Sequence, residues 1–278
     1  MKVYCLISLL LLAYYAQASS ETVFIAQLTG EGARSPLGVN TFNGRFPYGS
    51  GEITSMGLRQ HYLVGYDLAV NYADPLGLSR IYSPWQVNIR STNHNFTLMG
   101  AQAECEAIWP PNTRPSLRPE QAALAVPPGN NTTILEDIAA LGDDIMPLNF
   151  QTLPIHAMDF DKDTVLMSTW CSKIFEINNK TVIEDTKWVT EISTKYKDAL
   201  DSFRTYIKDD KMTIHQIYSY MDTLNSTIFN LDSVGALESQ KEQLLAFGFE
   251  YLDKYWSNAE SRRIFTNGFL LDLERYVR

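Results

Sequence analysis

The order of segments in this 278-residue chain predicts an α/β fold followed by a helical second region. Three observations carry that expectation. The run Thr22–Leu28 is apolar and β-branched, as in a buried strand. The first hundred residues then alternate strand, helix, strand, helix, the order of a layered α/β architecture. From Thr164 to the end, apolar residues recur almost throughout at helical spacing.

Each element has its own signal. Lys2, the apolar run VYCLISLLLLAYY and the small-x-small site Ala16-Gln17-Ala18 read as a signal peptide, residues 1–18. The run is too short and too tyrosine-rich at its end to favour a membrane anchor, and no second stretch approaches spanning length. A soluble, exported chain of residues 19–278 is expected. After the strand Thr22–Leu28 comes LTGEGARSPLG, a turn through Gly30 and Gly32 that meets Arg34 and stops at Pro36. Glycine, proline and asparagine make 40–52 a loop. Thr54 caps the helix TSMGLRQHYLVGYDLAVNY, whose apolar face includes Met56, Leu63 and Leu68. RIYSPWQVNIRST reads as strand or extended, ending near Arg90. FTLMGAQAECEAIW, Phe96–Trp109, reads as a helix closed by Pro110-Pro111. A long connection, 110–131, and a short strand, 153–158, complete the α/β part, 19–160. In the helical part, 161–278, helices are expected over 188–207, 213–224, 237–256 and 260–276.

Composition narrows the function classes. A formal net charge of −9 argues against a general nucleic-acid partner. Sequons at Asn95, Asn130, Asn131, Asn179 and Asn225 agree with export through a secretory pathway, to the medium or to a lysosome- or vacuole-like compartment. Once Cys5 leaves with the leader, Cys105 and Cys171 remain; they can pair or stay as two buried thiols. No cysteine cluster or histidine spacing suits a metal, and no cofactor is expected. GEGARS half-matches a dinucleotide loop, but Ser35 stands at the third glycine and Pro36 opens no helix. DFDKD, 159–163, starts like a calcium loop, yet Thr164 and Trp170 occupy its sixth and twelfth positions; a solvated acidic turn is expected.

Four phrases in order, GEGARSP, PYGSGEITSMGLRQHYLVG, RSTNHNFTLMGAQ and LPIHAM, resemble the histidine acid phosphatases, ciliate-type members especially. The resemblance runs from the start of the exported chain to about Met158 and more loosely beyond. It implies a mostly parallel central sheet flanked by helices, a cap-like helical region, and phosphomonoester hydrolysis through a phosphohistidine, with arginine forks on the phosphoryl oxygens. It also implies that the last sheet segment is missing, an unpaired edge that invites dimerisation.

The chain departs from the family loop R-H-G-x-R-x-P at the reactive positions. Gly30 stands at the first arginine and Glu31 at the nucleophilic histidine, while Gly32, Arg34 and Pro36 match. A third family arginine matches as Arg90, but Phe96 stands where a further one is expected. No His-Asp dipeptide, the family's source of the leaving-group acid, occurs anywhere. The expectation is an anion cradle with Arg34 and Arg90 as its cations, Glu31 able to pair with Arg34, weak binding of a phosphomonoester or other small anion at best, and catalysis impaired or lost. The alternatives are a non-catalytic secreted binding protein or a truncated gene product. His61 and His156 read as structural, His94 as a surface group near the cradle, and His215 as a satisfied helix side chain.

Overall fold

The computed structural model describes residues 22–38, 41–42, 44–46, 48–126, 132–166 and 171–277. The expected leader, residues 1–18, and Asn130 and Asn131 lie outside the described residues. Regular structure among the described residues is helical: α1 (Ser55–Tyr72), α2 (Asn95–Ile108), α3 (Pro119–Leu124), α4 (Thr132–Leu141), α5 (Ser172–Ile183), α6 (Thr186–Lys195), α7 (Lys197–Ile207), α8 (Ile214–Tyr218), α9 (Met221–Phe229), α10 (Lys241–Tyr255) and α11 (Ala259–Val277). Short 3₁₀ turns cover Pro147–Asn149 and Gly235–Gln240.

The expected parallel sheet is not formed among the described residues, and this corrects the α/β reading. A strand is stabilised by a hydrogen-bonded neighbour and by burial of one face or both. The segment 22–28 has neither: its backbone makes no hydrogen bond to the rest of the described chain, and Val23 and Leu28 are 83% and 68% exposed. The stretch from Arg80 is interrupted at Pro84 by a turn, with Gln86 N donating to Ser83 O at 3.0 Å. Two isolated bridges stand among the described residues. Arg34 pairs antiparallel with Ile53, and Arg90 pairs parallel with His156.

The helices follow the sequence more closely. Thr54 Oγ1 accepts from Gly57 N at 3.3 Å and starts α1 as expected. The expected helix over 188–207 is two, broken at Tyr196, which ends α6 and begins α7. That over 213–224 also divides, with Ser219 and Tyr220 between α8 and α9. α8 opens with a reciprocal cap, Gln216 N donating to Thr213 Oγ1 and Thr213 N to Gln216 Oε1.

The main core lies in the helical region, where Leu200, Phe203, Ile217, Leu224, Leu244 and Phe247 are fully buried. Phe42, from the loop before α1, enters this core and stacks on Tyr206 at 5.6 Å. The first half is thinner and centres on the α1–α2 pair. There Gly65 lets the backbones approach: a Cβ at Gly65 would lie 2.2 Å from the Glu104 carbonyl oxygen.

Candidate anion site

The loop 30–37 lies against the start of α1. Gly32 has φ +68°, and a Cβ there would lie 2.9 Å from the His61 ring, so glycine answers both the backbone and the space. Ala33 N donates to Gln60 Oε1 at 2.8 Å, and its carbonyl accepts from Thr54 N and Thr54 Oγ1, each at 3.0 Å. Ser35 Oγ donates to Gly49 O at 2.6 Å and accepts from Glu52 N at 2.8 Å. The Pro36 carbonyl accepts from Gly51 N at 2.9 Å. Gly30 sits free of crowding, with no atom within 4 Å of where its Cβ would be.

This scaffold holds Arg34 in a ring of partners. Its Nε donates to Glu31 Oε2 at 2.5 Å and its Nη2 to Asp222 Oδ1 at 2.6 Å, while its Nη1 donates to the Ser35 carbonyl at 3.0 Å. The guanidinium carbon stands 5.1 Å from the centre of the Phe96 ring. Burial alone would lower the Arg34 pKa; the hydrogen bonds and charges of Asp222 and Glu31 outweigh it and leave the pKa raised. Asp222 comes from the first turn of α9, in the helical region, and its other oxygen, Oδ2, accepts from Leu37 N at 2.8 Å.

Arg90 has a separate acidic set. Its Nη1 donates to Asp272 Oδ2 at 2.9 Å, and Asp163 Oδ1 lies 3.7 Å from its Nη2. Asp163 is buried, accepts from Val165 N and Leu166 N through Oδ1, and leaves Oδ2 without a partner. The acidic turn is therefore solvated at Asp161 but not at Asp163. Glu31 and Arg34 thus meet, whereas Arg90 shares no described ion pair or hydrogen bond with them. Around the two guanidinium groups stand four carboxylates, Glu31, Asp222, Asp163 and Asp272.

The histidines take structural places. His61 is buried beneath the loop, with Nδ1 2.6 Å from Glu104 Oε1. The Glu104 hydrogen bond raises its pKa against the opposing effect of burial, while Nε2 is buried without a hydrogen-bond partner. His94 stacks on Phe96 at 4.8 Å and lies 4.4 Å from Phe160. His156 contributes its backbone, donating to Ile89 O and accepting from Ser91 N, both at 2.9 Å. His215 Nδ1 pairs with Tyr251 OH at 2.9 Å, and burial lowers its pKa. Cys105 and Cys171 are free thiols, not a disulfide; burial pushes the Cys105 pKa up to about 12, with the Glu104 and Glu106 charges adding to it. Asn95 is exposed and Asn179 and Asn225 are half-buried. Among the described residues no group of histidine, cysteine and carboxylates is placed to hold a metal, and no helix is long and apolar enough to cross a membrane.

Asp222, Asp163 and Asp272 are the site residues that sequence reasoning missed. Asp163 was visible in DFDKD but read as solvated; Asp222 and Asp272 lie 188 and 182 residues from the arginines they bind, with no local signal.

No family model matches the chain. It is 25% identical over 175 residues to prostatic acid phosphatase of Bos taurus, covering 60% of this chain and 37% of the relative. It is 23% identical over 278 residues to lysosomal acid phosphatase of Xenopus laevis, covering 96% and 57%. Against prostatic acid phosphatase of Homo sapiens it is 34% identical over 99 residues, 34% and 25% of the two chains. The chain spans about half the length of the curated relatives it matches. The resemblance to the acid phosphatases read from the four phrases therefore holds at the family level, at low identity.

Proposed function

We propose that this chain is an exported acid phosphatase-like protein in which phosphomonoester turnover is lost or strongly impaired. The observation that carries the reading is the neutralised cradle: Arg34 is engaged by Glu31 and Asp222, and Arg90 by Asp272 with Asp163 nearby. A phosphate dianion at Arg34 would also face the Glu31 carboxylate. At ~4 Å and an effective dielectric of ~20, each such unit-charge pair costs about 4 kcal/mol. Acyl-phosphate chemistry at Glu31 has a precedent in other carboxylate nucleophiles. Here, however, Glu31 Oε2 is already tied to Arg34.

The leader and sequons support export, and the lysosomal type among the relatives makes a lysosome-like compartment a natural destination. On this reading the scaffold persists as a binding or interaction protein. The test is hydrolysis of p-nitrophenyl phosphate at acid pH by the purified secreted chain, with Arg34→Ala as the control for contaminating phosphatase. The expected result is no turnover from a folded chain. Turnover that Arg34→Ala abolishes would overturn the proposal and assign the chemistry to the cradle.

A further inference from the structure

The carboxylate of Asp222 sits as a bound anion sits. One oxygen takes a guanidinium N–H from Arg34 at 2.6 Å, the other takes the backbone N–H of Leu37 at 2.8 Å. Two donors converging on two oxygens is the arrangement by which proteins hold a carboxylate or a phosphoryl group. The donors and the acceptor come from opposite halves of the molecule. The donors belong to the loop that follows the extended 22–28 segment, and the acceptor belongs to the helical region.

The fold presses α9 onto this loop at more than one point. Met221 and Leu224 anchor the helix in the core, at 4% and 0% exposure. Asn230, just past the end of α9, donates to the Arg34 carbonyl at 3.2 Å. Arg45 N donates to Asp232 Oδ2 at 2.5 Å, fastening the next stretch of the N-terminal loop. Asp222 itself remains a third exposed, at 34%, so solvent reaches the carboxylate while Arg34 beneath it is 11% exposed.

We propose that Arg34 Nη2 and the Leu37 N–H form a seat for small oxyanions, that Asp222 is its internal ligand, and that α9 thereby closes the seat to solutes. The inference rests on reading the loop as an anion cradle and adds what occupies it. Glu31, on the Nε edge of the same guanidinium, does not fill this seat, because it makes no bond to Leu37 N. Removing the Asp222 carboxylate leaves a buried arginine N–H and a backbone N–H facing solvent, and both seek an acceptor.

The experiment is titration of wild type, Asp222→Ala and Asp222→Ala/Arg34→Ala with inorganic phosphate by calorimetry, with thermal unfolding followed alongside. Wild type is expected to show no saturable heat in the millimolar range. Asp222→Ala is expected to bind phosphate at least tenfold more tightly than wild type and to gain thermal stability with added phosphate, and the double variant is expected to lose both. Should Asp222→Ala fail to fold alone, acetate, which replaces the deleted carboxylate, is expected to restore its folding. Asp222→Asn, which keeps the side-chain volume, is then titrated in its place.

A folded Asp222→Ala that binds no more phosphate than wild type overturns the proposal, and so does binding that survives Arg34→Ala. Neither result touches the loss of turnover proposed above. That reading is tested separately by assaying the same variants for hydrolysis. Turnover by wild type that Arg34→Ala abolishes would overturn it, whatever Asp222→Ala binds.

Discussion

The loop that carries Arg34 rests on a buried His61–Glu104 pair, and the pair makes its stability depend on pH in a defined direction. The ring is 5% exposed and the carboxylate 17%, and Nδ1 stands 2.6 Å from Oε1. The Glu104 hydrogen bond holds the His61 pKa above its ordinary value. A group whose folded pKa is raised contributes stability that is complete below its unfolded pKa, about 6.5 for histidine, and is lost as pH rises through the folded value. The perturbation is Glu104→Gln, which keeps the volume and can still accept from a neutral ring. A hydrogen bond between charged partners contributes ~1.5–3 kcal/mol and a neutral one ~0.5–1.5 kcal/mol. Glu104→Gln is therefore expected to cost about 1 kcal/mol at pH 5, and less at pH 9, since the charged bond is lost as pH rises through the folded-state pKa of His61. Urea unfolding of both proteins at the two pH values measures this. An equal cost at pH 5 and pH 9, or a larger one at pH 9, would refute the assignment of a charged pair.

Four further outcomes test other parts of the structure. Gly65→Ala forces a Cβ against the Glu104 carbonyl, 2.2 Å away, and is expected to lower stability by ~1–3 kcal/mol, read by thermal unfolding; a neutral result would mean α1 and α2 do not approach so closely. The native protein at pH 8 is expected to react with a thiol reagent at Cys171 but not at Cys105, whose pKa burial pushes up to about 12; peptide mapping after labelling decides it. Gly30→Arg with Glu31→His adds a cation in open space and removes a carboxylate, so phosphate affinity is expected to rise at least tenfold; a folded double variant with unchanged affinity would show that the loop no longer aims at a common point. The uncharged segment 22–28, with Val23 and Phe24 exposed, offers nothing to oppose pairing with its own copy. A concentration-dependent dimer that Phe24→Lys disperses is expected in sedimentation, and a monomer at all concentrations would count against it.

What was legible in the sequence was local. Thr54 announces the start of α1 through its own hydroxyl, and the Glu31–Arg34 contact spans three residues, so both could be read from the chain alone. The helices after Thr164 follow from their spacing, although breaks at Tyr196 and at 219–220 leave no strong composition signal. The sheet was misread for a physical reason. A β-branched run states that a segment can be a strand, but the ladder that makes it one belongs to its neighbours. Thr22–Leu28 has the composition without the neighbours. Asp222 and Asp272 were out of reach on the same ground, since an aspartate in a helix reads as surface until the fold brings a guanidinium to it.

Those carboxylates also explain how the loop holds its arginine without a ligand. A guanidinium at 11% exposure needs counter-charge whether or not a substrate is present, because an uncompensated buried charge costs several kcal/mol. With Glu31 and Asp222 bound to Arg34, the loop is held by bonds that do not depend on any ligand. The same two contacts that withdraw Arg34 from solutes therefore fasten the loop to α9 and to itself. Substitutions that free the cation for phosphate should loosen this junction between the two halves, and added phosphate should tighten it again. Stability and anion affinity at Arg34 are thus set in opposition, and a variant that gains binding without losing stability in phosphate-free buffer would break that link.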